Sequence, residues 1–546
     1  MSEFNEKDYT EYNLDNFGSR EKNEPFVESV NAEPLRRTGH SARTTLNLKK
    51  LLMFAVPAAV ILIALIIVII VLVSKPKNEY FGYLKDGEIF LTTVKNGAGA
   101  QITEDFLLDD GISSTSIFDY TRMSNDGKKV FYIDKYDGSS RNLYYREIDG
   151  KDTASHKLSS DVDYYDINDK GTVVTYIKDD VDLFQHDLNT QSDKIDTDVS
   201  YFLSSNDGKK ILYLKENNDE AISTKDLYYY AKGKETKCVA KNVETVRYIS
   251  DDFSLVYYVS DSVLYKLEVD KSPKEIASDV SDVINVYDSG DVYFSKIDDQ
   301  SKASLYFYNG KETVKVLDNY YRTELISKLS PVLVVNYVDS DSISYSVVVG
   351  SKVSKINHSV ISVNLSEDGS EIYILADLDT KTMLGSLYQA KITSELKEIK
   401  KVSDGVAYGK YVSDDIYVYM NDYEVETGTG TLYAFGKEIA KDVSWNSILY
   451  SEKDESLYFF TDKKDNNGTL NCYKSGKTNK VMKDVRIDSL TINQNNDVLF
   501  LHDFKNGEGI LYGVRKGKTI KVDYDVSKII VFMTNDEYDL LAKSYF

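Results

Sequence analysis

His156, His186, His358 and His502 are the side chains of the C-terminal part best suited to proton transfer or metal ligation near neutral pH. They fall in four separate segments, and an acid–base or zinc centre needs three or more such groups to converge on one face. Cys238 and Cys472 are the only cysteines. Their separation excludes a zinc ribbon or a disulfide framework, and they read as two buried free thiols. Gly476-Lys477-Thr478 and Gly517-Lys518-Thr519 end as a phosphate loop does. Neither has the Gly five positions earlier that such a loop needs, so both read as hairpin turns. The acids of Asp462-Lys463-Lys464-Asp465-Asn466-Asn467-Gly468 and of the run Asp134 to Asp137 suit calcium in kind but not in the spacing of a twelve-residue loop. They read as solvated turn acids. No Gly-x-Ser-x-Gly elbow occurs. The expectation is a non-enzymatic chain with no catalytic residue, no metal, no cofactor, and binding residues left undetermined.

The elements that position these residues begin with a membrane anchor. Leu51 to Val73 is a 23-residue run without a charge, long enough as a helix to cross a hydrocarbon core of about 30 Å. It exceeds the apolar stretch of a cleaved signal peptide, and Ser74-Lys75-Pro76-Lys77 offers no small-x-small cleavage site. Arg36, Arg37, Arg43, Lys49 and Lys50 precede it. By the positive-inside rule, residues 1–50 form a cytoplasmic tail, polar and disordered in composition, and the rest lies outside the cell. The net charge of -22 argues against nucleic acid as a partner.

Beyond Glu79, short apolar strands recur. Their centres, Tyr83, Phe131, Val174, Leu212, Val256, Tyr293, Val334, Tyr373, Tyr417, Phe459, Phe500 and Leu541, lie 37 to 48 residues apart. A period of about 41 is that of a four-stranded propeller blade. A Leu-Tyr dyad repeats in phase (Leu143-Tyr144, Leu227-Tyr228, Leu305-Tyr306, Leu432-Tyr433, Leu511-Tyr512), followed by a Gly-Lys hairpin and by an outer strand ending in Asp-Val, as at Asp198-Val199 and Asp484-Val485. Ser124-Asn125-Asp126-Gly127-Lys128 shows the turn that opens a repeat, with Gly in the left-handed position. The 44 tyrosines against six prolines fit half-buried strands better than they fit ligand contacts.

At these turns the chain resembles the TolB-type propeller family, in which a Ser-Pro-Asp-Gly-Lys turn leads into a short apolar strand. Here Asn125 stands where Pro is usual. The resemblance implies fold more than activity.

The expected fold class is therefore all-β: about eleven four-stranded blades after one transmembrane helix. Single rings usually have four to eight blades, which favours two tandem rings, 79–325 and 326–546, with the boundary in the irregular stretch Asn319 to Pro331; one very large ring is the alternative. The first repeat lacks its innermost strand, and the C-terminal segments Lys528 to Met533 and Tyr538 to Phe546 are candidates to supply it. The expected function is a single-pass, signal-anchored extracellular module that binds or scaffolds an envelope protein or a cell-wall polysaccharide. The alternatives are a transmembrane sensor signalling through its tail, and an enzyme with its site in the propeller channel. The composition suggests a Gram-positive bacterium.

Overall fold

The computed structural model describes residues 79–103, 121–134, 141–148, 154–190, 192–216, 224–339, 342–515 and 517–532. The expected tail, the apolar run Leu51 to Val73 and the segment Tyr538 to Phe546 lie outside them. Among the described residues no helix is long and apolar enough to cross a membrane.

Antiparallel strands follow one another in groups of four. Six groups are separate four-stranded sheets, from Thr121–Met123 through Tyr320–Ile326 and its partners. Five more are hydrogen-bonded edge to edge, because three long strands each serve two groups and Lys477–Arg486, paired with Asn467–Lys474, also bridges to the next group where Val485 faces His502. Lys400–Ser413 pairs backwards through residues 400–406 and forwards through 406–413. Lys437–Ser451 divides at Ser444, and Lys518–Ile530 divides at Val526. The last half of that final strand pairs with Phe81–Lys85, the first described strand, with Gly82 opposite Ile530 and Tyr83 opposite Ile529. The C-terminal segment thus provides the missing inner strand of the first group. Counted this way there are eleven blades among the described residues, with blade 1 completed by the strand that ends at Ile530.

Local chemistry accounts for each blade. The Leu of the Leu-Tyr dyad is fully buried in the third strand (Leu143, Leu227, Leu305, Leu432, Leu511). Its Tyr stacks on an aromatic ring of the second strand, as in Tyr132–Tyr144, Tyr213–Tyr228 and Phe500–Tyr512. Such cross-strand pairs are each worth about 0.2–1 kcal/mol. The abundance of Tyr is thus a property of the sheets.

Asp-Val does more than end an outer strand. Asp161, Asp198, Asp279, Asp442, Asp484 and Asp525 take a left-handed backbone with φ near 55°, which a short polar side chain tolerates. The following Val is buried and begins the inner strand of the next blade. The motif is the crossover between blades.

The outer strands expose their edges, and nearly all carry Lys: Lys157, Lys194, Lys237, Lys274, Lys315, Lys352, Lys400, Lys437, Lys477 and Lys518. Charge on an edge discourages pairing with another chain.

Eleven apolar clusters fill the contacts between blades in chain order. Leu84, Met123 and Tyr132 join blades 1 and 2; Tyr293, Leu333 and Val335 join 6 and 7; Val334, Ile356 and Ile374 join 7 and 8. Phe81, Tyr83, Leu499 and Leu511 join blade 11 back to blade 1. The irregular stretch Asn319 to Pro331 holds the inner strand Tyr320–Ile326 of blade 7 and the turn after it. Tyr320 packs into the cluster of blades 6 and 7, and Leu325 into that of blades 7 and 8. The stretch looked irregular because Ser327 to Pro331 replaces the Asp-Gly turn. Ser327 Oγ and Ser330 Oγ instead donate to the carbonyls of Glu367 and Asp368 in the next blade, at 2.9 and 2.6 Å.

Candidate functional site

The turns between first and second strands and the hairpins between third and fourth strands lie at one end of every blade. The crossovers and the connections between second and third strands lie at the other. Both ends carry side chains that can do chemistry.

At the turn end, the opening Ser and the Asp two residues on lock each other. Ser124 Oγ donates to Asp126 Oδ1 at 2.7 Å, and the same oxygen takes the Lys128 amide at 3.0 Å. Ser205–Asp207, Ser250–Asp252 and Ser366–Asp368 repeat the arrangement. These hydrogen bonds hold the Asp252 carboxyl at about 2. The residue between Ser and Asp reaches the next blade. The Asn125 amide donates to the Asp169 carbonyl at 2.9 Å and its side chain to Asp169 Oδ1 at 2.7 Å, while the Asp169 amide donates to the Asn206 carbonyl at 2.9 Å. Gln494 does the same for the closure, donating to the Phe532 carbonyl at 2.8 Å.

This second turn position is acidic in many blades: Asp169, Asp251, Asp288, Glu367, Asp414 and Glu452. Lys328 Nζ pairs with Glu367 Oε1 at 2.9 Å. Burial, a hydrogen bond with Glu367, and the charges of Glu367, Glu452 and Asp415 push the Asp414 carboxyl up to about 7. The Asp414 carboxyl of blade 9 therefore keeps its proton up to near neutral pH, beside Glu367 of blade 8. The sequence reading passed over this collar. Aligning the second residue of each opening turn would have found it.

At the crossover end, His358 Nδ1 lies 3.0 Å from Asp377 Oδ2, and the same carboxylate takes the Tyr388 hydroxyl at 2.7 Å and the Ser359 amide at 3.1 Å. Burial raises the Asp377 carboxyl, but the bonds from Tyr388, His358 and Ser359 outweigh it and leave the group below its ordinary range. The His358 and Tyr388 rings lie 4.1 Å apart. An imidazole oriented in this way can hold or pass a proton. The other histidines stand apart. His156 stacks on Tyr145 in blade 2, His186 is depressed by burial in blade 3, and His502 meets Tyr512 in blade 11.

The same end exposes apolar side chains on four successive blades: Ile297; Tyr321, Val338 and Ile343; Ile361, Leu378 and Met383; Tyr408 and Val425. Ile343 is 57% exposed, Met383 62% and Val425 80%.

Of the other residues singled out above, Ser475-Gly476 is a two-residue hairpin with both φ positive, and Gly517 leads into the strand Lys518–Ile530. Asp462 and Asp465 take left-handed backbones in the hairpin between Ser456–Lys464 and Asn467–Lys474. Cys238 and Cys472 are half-buried, in blades 4 and 10, and burial pushes the Cys238 thiol up. Of the run that begins at Asp134, Lys135 to Asp137 lie outside the described residues.

One buried polar network was not anticipated. Arg122, Asp166 and Ser204 stand on the inner strands of blades 2, 3 and 4. Arg122 Nη1 meets Asp166 Oδ1 at 2.5 Å, and Ser204 Oγ donates to Asp166 Oδ2. The guanidinium also lies over the Tyr165 ring, 5.0 Å from its centre.

No family model and no curated protein matches the chain. Solved structures do. One described as a eukaryotic initiation factor is 11% identical, with 74% of this chain and 96% of that one covered and a TM-score of 0.38. The β-propeller domain of the Trilobed protease from Pyrococcus furiosus is 15% identical over 52% of this chain and 97% of that one, with a TM-score of 0.27. An oligogalacturonate lyase from Vibrio parahaemolyticus is 12% identical over 64% and 95%, with a TM-score of 0.26. The expectation of a non-enzymatic chain is corrected here: the solved structures it is similar to include a lyase and the propeller domain of a protease.

Proposed function

We propose that this chain is a single-pass membrane protein of the TolB-type propeller group, with its blades outside the cell, and that it binds or scaffolds an envelope protein. The apolar run Leu51 to Val73 and the basic residues before it support the anchor and its orientation. We further take the eleven blades as one ring. The succession of interblade clusters and the pairing of Phe81–Lys85 with the last strand support that reading.

The observation that carries the binding role is the apolar arc at the crossover end of blades 6 to 9. Contiguous exposed apolar surface on a folded protein marks an interaction site, and Tyr, Met and Ile set among polar loops are the composition of an interface core. Crosslinking and affinity capture of the full chain from native membranes tests the reading. The unmodified chain captures an envelope protein, and Ile343→Asp with Met383→Asp, both on exposed side chains, abolishes the capture without shifting the unfolding midpoint. Equal capture by the variant, or none by either chain, overturns it.

A further inference from the structure

Along the apolar arc, an exposed apolar side chain stands next to a carboxylate in the chain on each of blades 6 to 9. Ile297 is followed by Asp298 and Asp299, and Val338 by Asp339; Leu378 lies between Asp377 and Asp379, and Val425 between Glu424 and Glu426. All four groups sit where the second strand of a blade runs into the third. Ile343 and Met383 add to this row. Tyr321, Ile361 and Tyr408, exposed near the starts of the inner strands of blades 7, 8 and 9, form a second row.

Two of these carboxylates are already matched, Asp339 by Lys355 Nζ at 2.8 Å and Asp377 by His358 Nδ1 at 3.0 Å. Among the described residues no lysine or arginine lies within ion-pair distance of Asp298, Asp299, Asp379, Glu424 or Glu426. A partner that covers the apolar side chains also draws these acids out of water, and a carboxylate withdrawn without a cation is costly. A neutral apolar surface would leave them unmatched. A second copy of the arc, or an anionic bilayer, would set like charge against them. The arc therefore calls for apolar and cationic side chains presented together. An extended segment turns successive side chains to opposite faces. A helix instead carries cations along both borders of one apolar stripe, and their long stems lie over apolar ground while the charged ends reach the acids.

We propose, on the premise that the arc is the docking surface, that it takes a lysine- or arginine-rich amphipathic helix of the partner. The apolar stripe of the helix covers the two rows, and its bordering cations pair with the acids that each blade offers beside its apolar side chain. Trp445, the single Trp of the chain, stacks on Tyr408 with ring centres 5.6 Å apart, so its emission reports a helix seated on the arc.

Three Trp-free synthetic peptides of about 18 residues test this, titrated into the full chain held soluble by an uncharged amphipol. One is a helix with a leucine stripe bordered by lysine, one has glutamate in place of each lysine, and one is the lysine peptide shuffled to break the stripe. The first shifts Trp445 emission, and the other two bind at least about tenfold more weakly. Glu424→Gln/Glu426→Gln weakens the first peptide at least about tenfold and flattens its salt dependence. Asp179→Asn/Asp180→Asn removes the same charge beside Val181, an exposed apolar residue of blade 3 outside the arc, and leaves the affinity unchanged. Equal binding of the glutamate or the shuffled peptide, an equal loss in the blade 3 variant, no binding of the lysine peptide, or dimerisation of the chain through the arc overturns the proposal. The two readings fail separately. If Ile343→Asp with Met383→Asp abolishes envelope-protein capture and Glu424→Gln/Glu426→Gln leaves it whole, docking stands and the basic helix falls; if no envelope protein is captured, the docking reading falls whatever the peptides do.

Discussion

Gly82 and Ile530 stand opposite each other where the last described strand pairs with the first. A Cβ on Gly82 would meet Ile530 Cβ at 3.3 Å and the Phe532 ring at 3.1 Å. Ile530 and Phe532 are both buried in the cluster of blades 1 and 2. The closing strand is therefore fitted to the first blade by shape as well as by hydrogen bonds. Gly82→Val should lower stability by about 1–3 kcal/mol through overpacking, and Ile530→Ala by about 2–5 kcal/mol through the cavity left behind. Chemical unfolding of the full chain measures both. Amide exchange at residues 81–85 should accelerate in each variant, and unchanged protection there would mean that the closure does not hold the chain.

Two glycines with positive φ should respond differently to the same change. Gly208 has φ 70°, and a Cβ there would lie 2.9 Å from Val173 Cβ on the preceding blade. Gly233 has φ 81° and open space around it. Gly233→Ala should cost about 1–2 kcal/mol, the penalty of a left-handed backbone alone. Gly208→Ala adds a collision between blades and should cost distinctly more. Equal midpoints for the two variants would contradict the interblade role of the opening turn.

What could be read in the sequence was the chemistry that acts within one repeat. The left-handed Gly of an opening turn, the buried Leu beside a stacking Tyr and the left-handed Asp before a buried Val each need only neighbours a few residues away, so each leaves a local pattern. The pairing of the last described strand with the first was legible only as a deficit, a first repeat short of its inner strand with Lys528 to Met533 to spare; that Gly82 faces Ile530 is recorded by nothing local. The stretch Asn319 to Pro331 reads as irregular for the same reason: its missing Asp-Gly is replaced by Ser327 and Ser330 bonding to a turn some 40 residues on. Of the candidate sites, the acidic collar is half legible as an acid after the opening Ser or Asn of several turns, as at Asp169, Asp251, Glu367, Asp414 and Glu452. The apolar arc is not, because an exposed Ile looks like a core residue until its surroundings are known.

Arg122 and Asp166 form an ion pair almost wholly withdrawn from water. Removing one partner should be worse than removing both. Arg122→Met leaves the Asp166 carboxylate buried among Ser204 Oγ and the Ile167 amide, and should cost about 3–5 kcal/mol. Asp166→Leu in the same chain should recover much of the loss, since apolar replacement of a buried pair is often neutral. Unfolding of the two single variants and the double variant completes the cycle. A double variant as unstable as the sum of the singles would show that the pair is uncoupled.

The raised Asp414 carboxyl sets a slope of stability against pH. An unfolded Asp titrates near about 3.9, whereas burial and the neighbouring carboxylates push the folded Asp414 up to about 7. Between those values the folded state binds more protons than the unfolded one, so this group's contribution to stability falls as pH rises and levels off above pH 7. Asp414→Asn removes the titration while keeping a donor toward Glu367, whose own charge Lys328 opposes. The variant should therefore gain on the unmodified chain from about pH 4 to 7 and keep a constant lead above that. Thermal midpoints of both chains at pH 4, 5.5, 7 and 8.5 measure the difference. A gap that does not change with pH would place no proton between blades 8 and 9.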